Sequence, residues 1–319
     1  MITLADLHAA RTRLQGITTR TRLIEFKLCA EDPRRLLLKP ENQQPIGAFK
    51  LRGAYNHIAS LPEEERRRGV ITYSSGNHAQ GVAYAARALK TKAVIVMPNN
   101  APAIKREATA KLGAEIVLVG PGSDERKAKA EELAAEHGYV IVPPYNHEKI
   151  IAGQGTIGLE ILEDLPEVET VLSPVGGGGL ISGIAAAIKL TNPKVKVIGV
   201  EPELAADALA SLRAGRIVQF PAEQVSRTLA DGLRTQSIGP INFEHIQAYV
   251  DDIITVTEDE IRQAMKYLSA NPATVAEPSG AVSVAGFIFH ADQLPHTHIN
   301  VAIISGGNIE PTMLAELSR

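Results

Sequence analysis

A single lysine, Lys50, stands among apolar and small residues in the run Glu41-Asn42-Gln43-Gln44-Pro45-Ile46-Gly47-Ala48-Phe49-Lys50-Leu51-Arg52-Gly53-Ala54. An amine there is either recruited for chemistry, because desolvation frees it as a base or nucleophile, or an ordinary exposed charge at a helix start. Its neighbours leave both open. A second run, Gly176, Gly177, Gly178 and Gly179, follows the stretch Val171-Leu172-Ser173-Pro174-Val175 and opens a helical pattern. Consecutive glycines let backbone N–H groups converge, and a helix N-terminus adds positive partial charge. One glycine suffices for a turn, so four in a row favour an anion cradle. The run is neither GxGxxG nor a P-loop, which gives nucleotide binding by those motifs little support.

Three further groups could line the same site. Ser74, Ser75, Gly76, Asn77 and His78 sit at a strand-to-helix junction and form a polar arc suited to a carboxylate, although alone they read as a helix cap. Ser305-Gly306-Gly307-Asn308 ends a fully apolar strand, where a site and a closing turn are equally good readings. Glu201 and Asp207 follow another strand and could hold a hard cation, but composition alone favours a solvated acidic loop. His296-Thr297-His298 has too few partners nearby to argue for a metal. A lysine amine with a phosphate cradle and no nucleotide motif points to pyridoxal phosphate, which needs a Schiff-base lysine, an anion site and a partner for its ring nitrogen.

The elements that must position these residues alternate. Strand patterns at Val70–Tyr73, Ala93–Met97, Glu115–Val119 and Tyr139–Val142 are separated by helical stretches ending at Leu89, Leu112 and His137. A second series runs from Ile150 to Ser305, and a helix is expected over Gly53–Ser60. Such alternation argues for α/β architecture with parallel-rich open sheets in two lobes, ligands lying beyond the strand C-termini. Pro143 and Pro144 interrupt the pattern and mark a boundary, giving a large unit of residues 1–68 and 147–319 and a small one of 69–146. Glu63–Arg68 reads as a solvated charged face.

The 319 residues and 45% apolar content allow a sizeable core. A net charge of −3 with scattered Lys and Arg argues against nucleic acid. Cys29 is the only cysteine, so disulfides within the chain are excluded and a reducing compartment fits. No signal core or membrane-length apolar run is visible, and a cytoplasmic protein is the expectation.

Taken together, the motifs resemble those of the fold-type-II pyridoxal-phosphate enzymes, the threonine/serine dehydratase and serine racemase family, whose architecture is tryptophan synthase β-like. The resemblance rests on Gly47 to Ala54, Ser74 to His78, Ala152-Gly153-Gln154-Gly155-Thr156, Gly176 to Gly179 and Ser305 to Asn308, in the family's order. It implies that Lys50 carries the cofactor, Phe49 packs near the ring, Asn77 bonds the ring hydroxyl and Gly176 to Gly179 hold the phosphate. It also implies that Ser305 meets the ring nitrogen, Asn146 contacts the cofactor, and Ser75 faces the ring opposite Lys50. The loop from Ser74 to His78 would grip the substrate carboxylate. Glu201, the Ala205 carbonyl and Asp207 match the family's divalent-cation site, for Mg2+ or Ca2+, which reverses the reading from composition. Thr21-Arg22-Leu23 departs from the family's Thr-Pro-Leu, and the chain ends soon after Asn308, so an isoleucine-responsive extension is not expected.

The implied reaction is β-elimination from L-threonine and L-serine to a 2-oxo acid and ammonia, by a homodimer. Alternatives are a serine racemase, in which Ser75 reprotonates the opposite face, or an ammonia-lyase for phenylserine or 3-hydroxyaspartate, with Arg126 the nearest cation for an acidic side chain. A binding module that lost catalysis should have lost Lys50 or the glycines, and both are present.

Overall fold

The computed structural model describes residues 1–27, 32–101, 103–120 and 122–317; Cys29 lies outside them. The chain opens with α1 (Leu4–Leu14), β1 (Ile24–Phe26), β2 (Arg35–Pro40), α2 (Lys50–Ser60) and α3 (Glu63–Arg68). Next come β3 (Val70–Tyr73), α4 (Asn77–Ala88), β4 (Ala93–Pro98), α5 (Ala103–Lys111), β5 (Glu115–Val119), α6 (Ser123–His137) and β6 (Val140–Ile141). They are followed by α7 (Glu148–Asp164), β7 (Thr170–Pro174), α8 (Gly179–Thr191), β8 (Lys196–Pro202), α9 (Asp207–Ala214), α10 (Ala222–Val225) and α11 (Pro240–Tyr249). The last elements are β9 (Asp252–Val256), α12 (Glu258–Ser269), α13 (Pro278–Phe289), β10 (Ile299–Ile304) and α14 (Pro311–Leu317).

The strands form two sheets, a six-stranded one ordered β1-β2-β10-β7-β8-β9 and a four-stranded one ordered β5-β4-β3-β6. Only the β1–β2 pair is antiparallel among the described ladders. Helices cover both faces of the larger sheet, so its central strands are buried on both sides and read as continuous apolar runs. Alternation still sorts the faces. Leu36, Leu38, Ala302 and Ile304 join the core under α12 and α13, whereas Leu37, Val301 and Ile303 join the core under α7 and α8.

Small residues let three helices cross closely. A Cβ at Gly183 of α8 would sit about 2.5 Å from the Gly155 nitrogen of α7, and one at Gly153 would sit 2.6 Å from the Arg52 carbonyl of α2. Gln154 then accepts from the Gly53 N–H at 3.2 Å. The run Ala152 to Thr156 is therefore the seat on which the Lys50 helix rests. That helix starts at Lys50 rather than Gly53, because Phe49 already has helical dihedrals and is tied to the loop after β10. The charged α3 is exposed along most of its length, as its composition implies.

Candidate active site

Two loops meet where Lys50 begins α2. The Phe49 N–H donates to the Ser305 carbonyl at 3.0 Å, Ala48 bridges Gly306, and the Gly307 N–H donates to the Gly47 carbonyl at 2.9 Å. Gly47 closes the preceding turn at φ +72°, a conformation that favours glycine, with Asn308 filling the space a Cβ would need. The Gly47 turn and the Ser305–Asn308 segment thus form one short antiparallel patch, which fixes where the Lys50 helix begins.

Lys50 is half-buried as a residue, yet its amine is enclosed, and desolvation pushes it down to about 8. It donates to the Pro144 carbonyl at 2.8 Å and lies 5.2 Å from the Phe49 ring centre. Tyr145, the next residue after that carbonyl, lies directly on the glycine run: Cβ atoms at Gly177 or Gly179 would run into it. Gly178 has φ +89° and is the N-cap of α8. The amine and the glycines therefore flank the Pro144-Tyr145 segment. The first-turn N–H groups of α8 have no carbonyl one turn back, which suits an anion.

Ser305 is buried and its hydroxyl donates to the Ser279 carbonyl at 3.3 Å. On the other side, β3 ends in Ser74 and Ser75. Neither serine caps α4: its N-cap is Gly76, without a side-chain bond, and the Ser74 hydroxyl accepts from the Gly76 N–H at 3.3 Å. The helix-cap reading fails here, and the first turn of α4 keeps N–H groups that no side chain caps. Asn77 accepts from Asn308 at 2.8 Å and donates to Glu277 at 2.6 Å. Glu277 is missed by the motifs; burial, and next Asp231, push its carboxyl up to about 7.

Two expected residues also brace the scaffold around the site. His78 is buried with Nε2 at 3.0 Å from the Val142 carbonyl, and burial followed by Lys50 holds its pKa down to about 3. It is a neutral brace between α4 and the end of the small sheet, not a surface histidine. Asn146 accepts from the Ile241 N–H at 3.0 Å and packs on Gly239, securing the start of α11. Tyr145, one position earlier, is the side chain on the glycine run, and burial pushes its hydroxyl up to about 12.

The Glu201 loop is not solvated. Glu201 and Asp207 are fully buried, because Glu201 accepts from the Ala208 and Leu209 N–H groups at 3.0 and 2.8 Å. Burial, then Asp207, raises Glu201 well above the usual carboxylate range, and burial pushes Asp207 up to about 7. The Asp207 side-chain oxygens have their own and the Ile238 backbone N–H groups near them, neither at good hydrogen-bond geometry. Among the described residues no group of three or more His, Cys, Asp or Glu side chains could hold a metal ion.

These features fit pyridoxal phosphate. A desolvated amine, a glycine run that rejects side chains beside a helix N-terminus, and the buried Ser305 are joined through the Pro144-Tyr145 segment and the Phe49–Ser305 backbone bond. The family described as "Pyridoxal-phosphate dependent enzyme" matches residues 14–306. An L-threonine ammonia-lyase of Thermotoga maritima is 48% identical over 98% of this chain and 77% of its own length. An L-threo-3-hydroxyaspartate ammonia-lyase of Saccharomyces cerevisiae is 39% identical, covering 99% of this chain and 96% of its own. A serine racemase structure from Dictyostelium discoideum superposes with a TM-score of 0.90 at 36% identity, covering 97% of this chain and 99% of that one.

Proposed function

The chain belongs to the family of pyridoxal-phosphate dependent enzymes, and from that premise we propose that it is an ammonia-lyase converting L-threonine and L-serine to 2-oxo acids and ammonia. The observation that carries this reading is the Lys50 amine, which is desolvated to about 8 and faces a carbonyl rather than a carboxylate. Bound pyridoxal phosphate supplies an electron sink that acidifies the substrate α-carbon and lets the β-hydroxyl depart. Lys50 would hold the cofactor, and its amine would take the α-proton, since an amine near neutral pKa serves as a general base. Phe49 flanks the amine, Gly176 to Gly179 with the start of α8 receive the phosphate, and Asn77 and Ser305 address the ring oxygen and nitrogen. Ser74, Ser75, Gly76 and the open first turn of α4 receive the substrate carboxylate. A serine at the ring nitrogen does not hold it protonated as a carboxylate would, which favours loss of the β-group over transamination.

The same reading divides the chain into residues 1–68 with 147–319 and residues 69–146, and makes it a cytoplasmic homodimer. Among the described residues no helix is long and apolar enough to cross a membrane. It also places Mg2+ or Ca2+ by Glu201, the Ala205 carbonyl and Asp207; support comes from two buried carboxylates set close together, with no side-chain cation on either among the described residues. Holoprotein given L-threonine, L-serine, phenylserine and 3-hydroxyaspartate in separate assays should release ammonia fastest from threonine or serine. Fastest release from 3-hydroxyaspartate would overturn the substrate choice. D-serine exceeding pyruvate from L-serine would make the protein a racemase.

A further inference from the structure

Glu277 sits just before α13 in the sequence Glu277-Pro278, where a negative charge is favoured beside its own helix N-terminus. The N-cap makes no side-chain bond, and the carboxylate turns away to accept from Asn77 Nδ2 at 2.6 Å. The residue is 6% exposed, so this contact is made out of water. Its backbone N–H donates to the Gly306 carbonyl at 3.1 Å, locking it to the loop that also carries Ser305. Around the carboxylate stand Asp231 and Lys105, themselves paired at 2.9 Å.

The orientation of Asn77 follows from a chain of obligatory partners. The Ile46 carbonyl can only accept, so the group of Asn308 facing it at 2.9 Å is the amide nitrogen. That nitrogen also lies 2.8 Å from Asn77, which must present its oxygen there. Asn77 Nδ2 therefore faces Glu277, using one of its two N–H groups and leaving the second. Asn77 starts α4, beside the four-stranded sheet, whereas Glu277 and Asn308 flank β10 of the six-stranded sheet. Gly306 leaves room for this: a Cβ there would collide with the Glu277 carboxylate and sit 3.1 Å from Asn77 Nδ2.

We propose that Glu277 is a positioning residue that, with Asn308, fixes the Asn77 amide so that its remaining N–H is presented to the ring oxygen of the cofactor. It ties the first turn of α4 to the Ser305 loop at the cofactor itself. This inference rests on the pyridoxal-phosphate reading above and adds a residue to it.

The experiment titrates apoprotein with pyridoxal phosphate, followed by the cofactor's absorbance, for wild type, Glu277→Ala, Glu277→Gln, Gly306→Ala, Asn77→Ala and the double variant Glu277→Ala/Asn77→Ala. Wild type that gives no protein-bound band overturns the cofactor reading itself. Given binding, we expect Glu277→Ala to weaken affinity about tenfold, the loss of one hydrogen bond to a charged group. Band position should also change. Glu277→Gln, which keeps an acceptor, should restore affinity to within about twofold. Gly306→Ala should mimic Glu277→Ala, and the double variant should bind no more weakly than Asn77→Ala alone, as coupled residues require. Wild-type affinity and band position in Glu277→Ala, or losses that add in the double variant, would overturn the proposal while leaving the cofactor reading intact. If Glu277→Ala fails to fold, Gly306→Ala and Glu277→Gln decide: equal binding in the two refutes the role, and a deficit in Gly306→Ala alone supports it.

Discussion

Lys50 and Arg52 are two positions apart on one helix turn and live in opposite electrostatic worlds. Arg52 is 1% exposed and grips both Glu41 oxygens at 2.8 and 2.9 Å and both Glu160 oxygens at 2.7 and 2.9 Å. Lys39 adds a bond to Glu160 at 2.6 Å, Thr21 to Glu41 at 2.9 Å and Gln44 to Glu41 at 3.0 Å. Burial works against the Arg52 cation, but Glu41 and then Glu160 overcome it, and its pKa is raised. Burial likewise raises Glu160, and Arg52 followed by Lys39 holds it below its usual value. The two cations and two anions balance, so every charge in the cluster has a partner. Among the described residues Lys50 donates only to a carbonyl, and desolvation wins. The difference teaches how one helix can hold scaffold and chemistry together: paired charges fix its start, and an unpaired amine is left reactive.

Exchanging the two roles gives the largest expected effects. Lys50→Ala should lower ammonia release by roughly 10³-fold or more, at the upper end of what a positioned base contributes. It should also raise the apoprotein melting temperature by a few degrees, because a desolvated cation is removed. Arg52→Met should do the reverse in kind, destabilising the apoprotein by about 3–5 kcal/mol by stranding Glu41 and Glu160. Chemical denaturation would show it; a loss below about 1 kcal/mol would mean the cluster is not the anchor described. Gly183→Ala comes next, costing about 1–3 kcal/mol through the α7–α8 crossing, measured the same way.

The last effect is in pH. Burial, followed by His147, pushes His57 down to about 3, as burial and Lys50 do for His78. Folded-state pKa values below the unfolded value of 6.5 mean stability that is present above pH 6.5 and is lost as pH falls toward 3. Glu277 has the opposite sign: raised from 4.5 to about 7, its contribution is full below pH 4.5 and fades as pH rises through 7. Apoprotein melts should therefore fall on the acid side in wild type and fall less in His57→Gln. The Glu277→Gln variant should lose less stability than wild type between pH 4.5 and 7.

Much of this was legible beforehand because it lies in local pattern. Apolar runs, strand-to-helix alternation, the glycine run and the Ser305 loop each carry their own signal, and Lys50 acquired meaning from their company. What sequence could not supply was side-chain direction. Asn146 and Tyr145 are adjacent, and only the fold shows which lies on the glycines. Glu277, Glu41, Glu160 and Lys39 carry no local signal, because their partners are far away in sequence. Composition alone put Glu201 and Asp207 in solvent, whereas backbone N–H groups and apolar packing bury them.

The central claim is that Lys50 is the one amine set apart for the cofactor. Apoprotein incubated with pyridoxal phosphate, reduced with borohydride and digested would be read by peptide mass spectrometry. A pyridoxyl-phosphate mass should appear on the peptide containing Lys50 and be absent in Lys50→Ala. A modification confined to other lysines, or none, would contradict it.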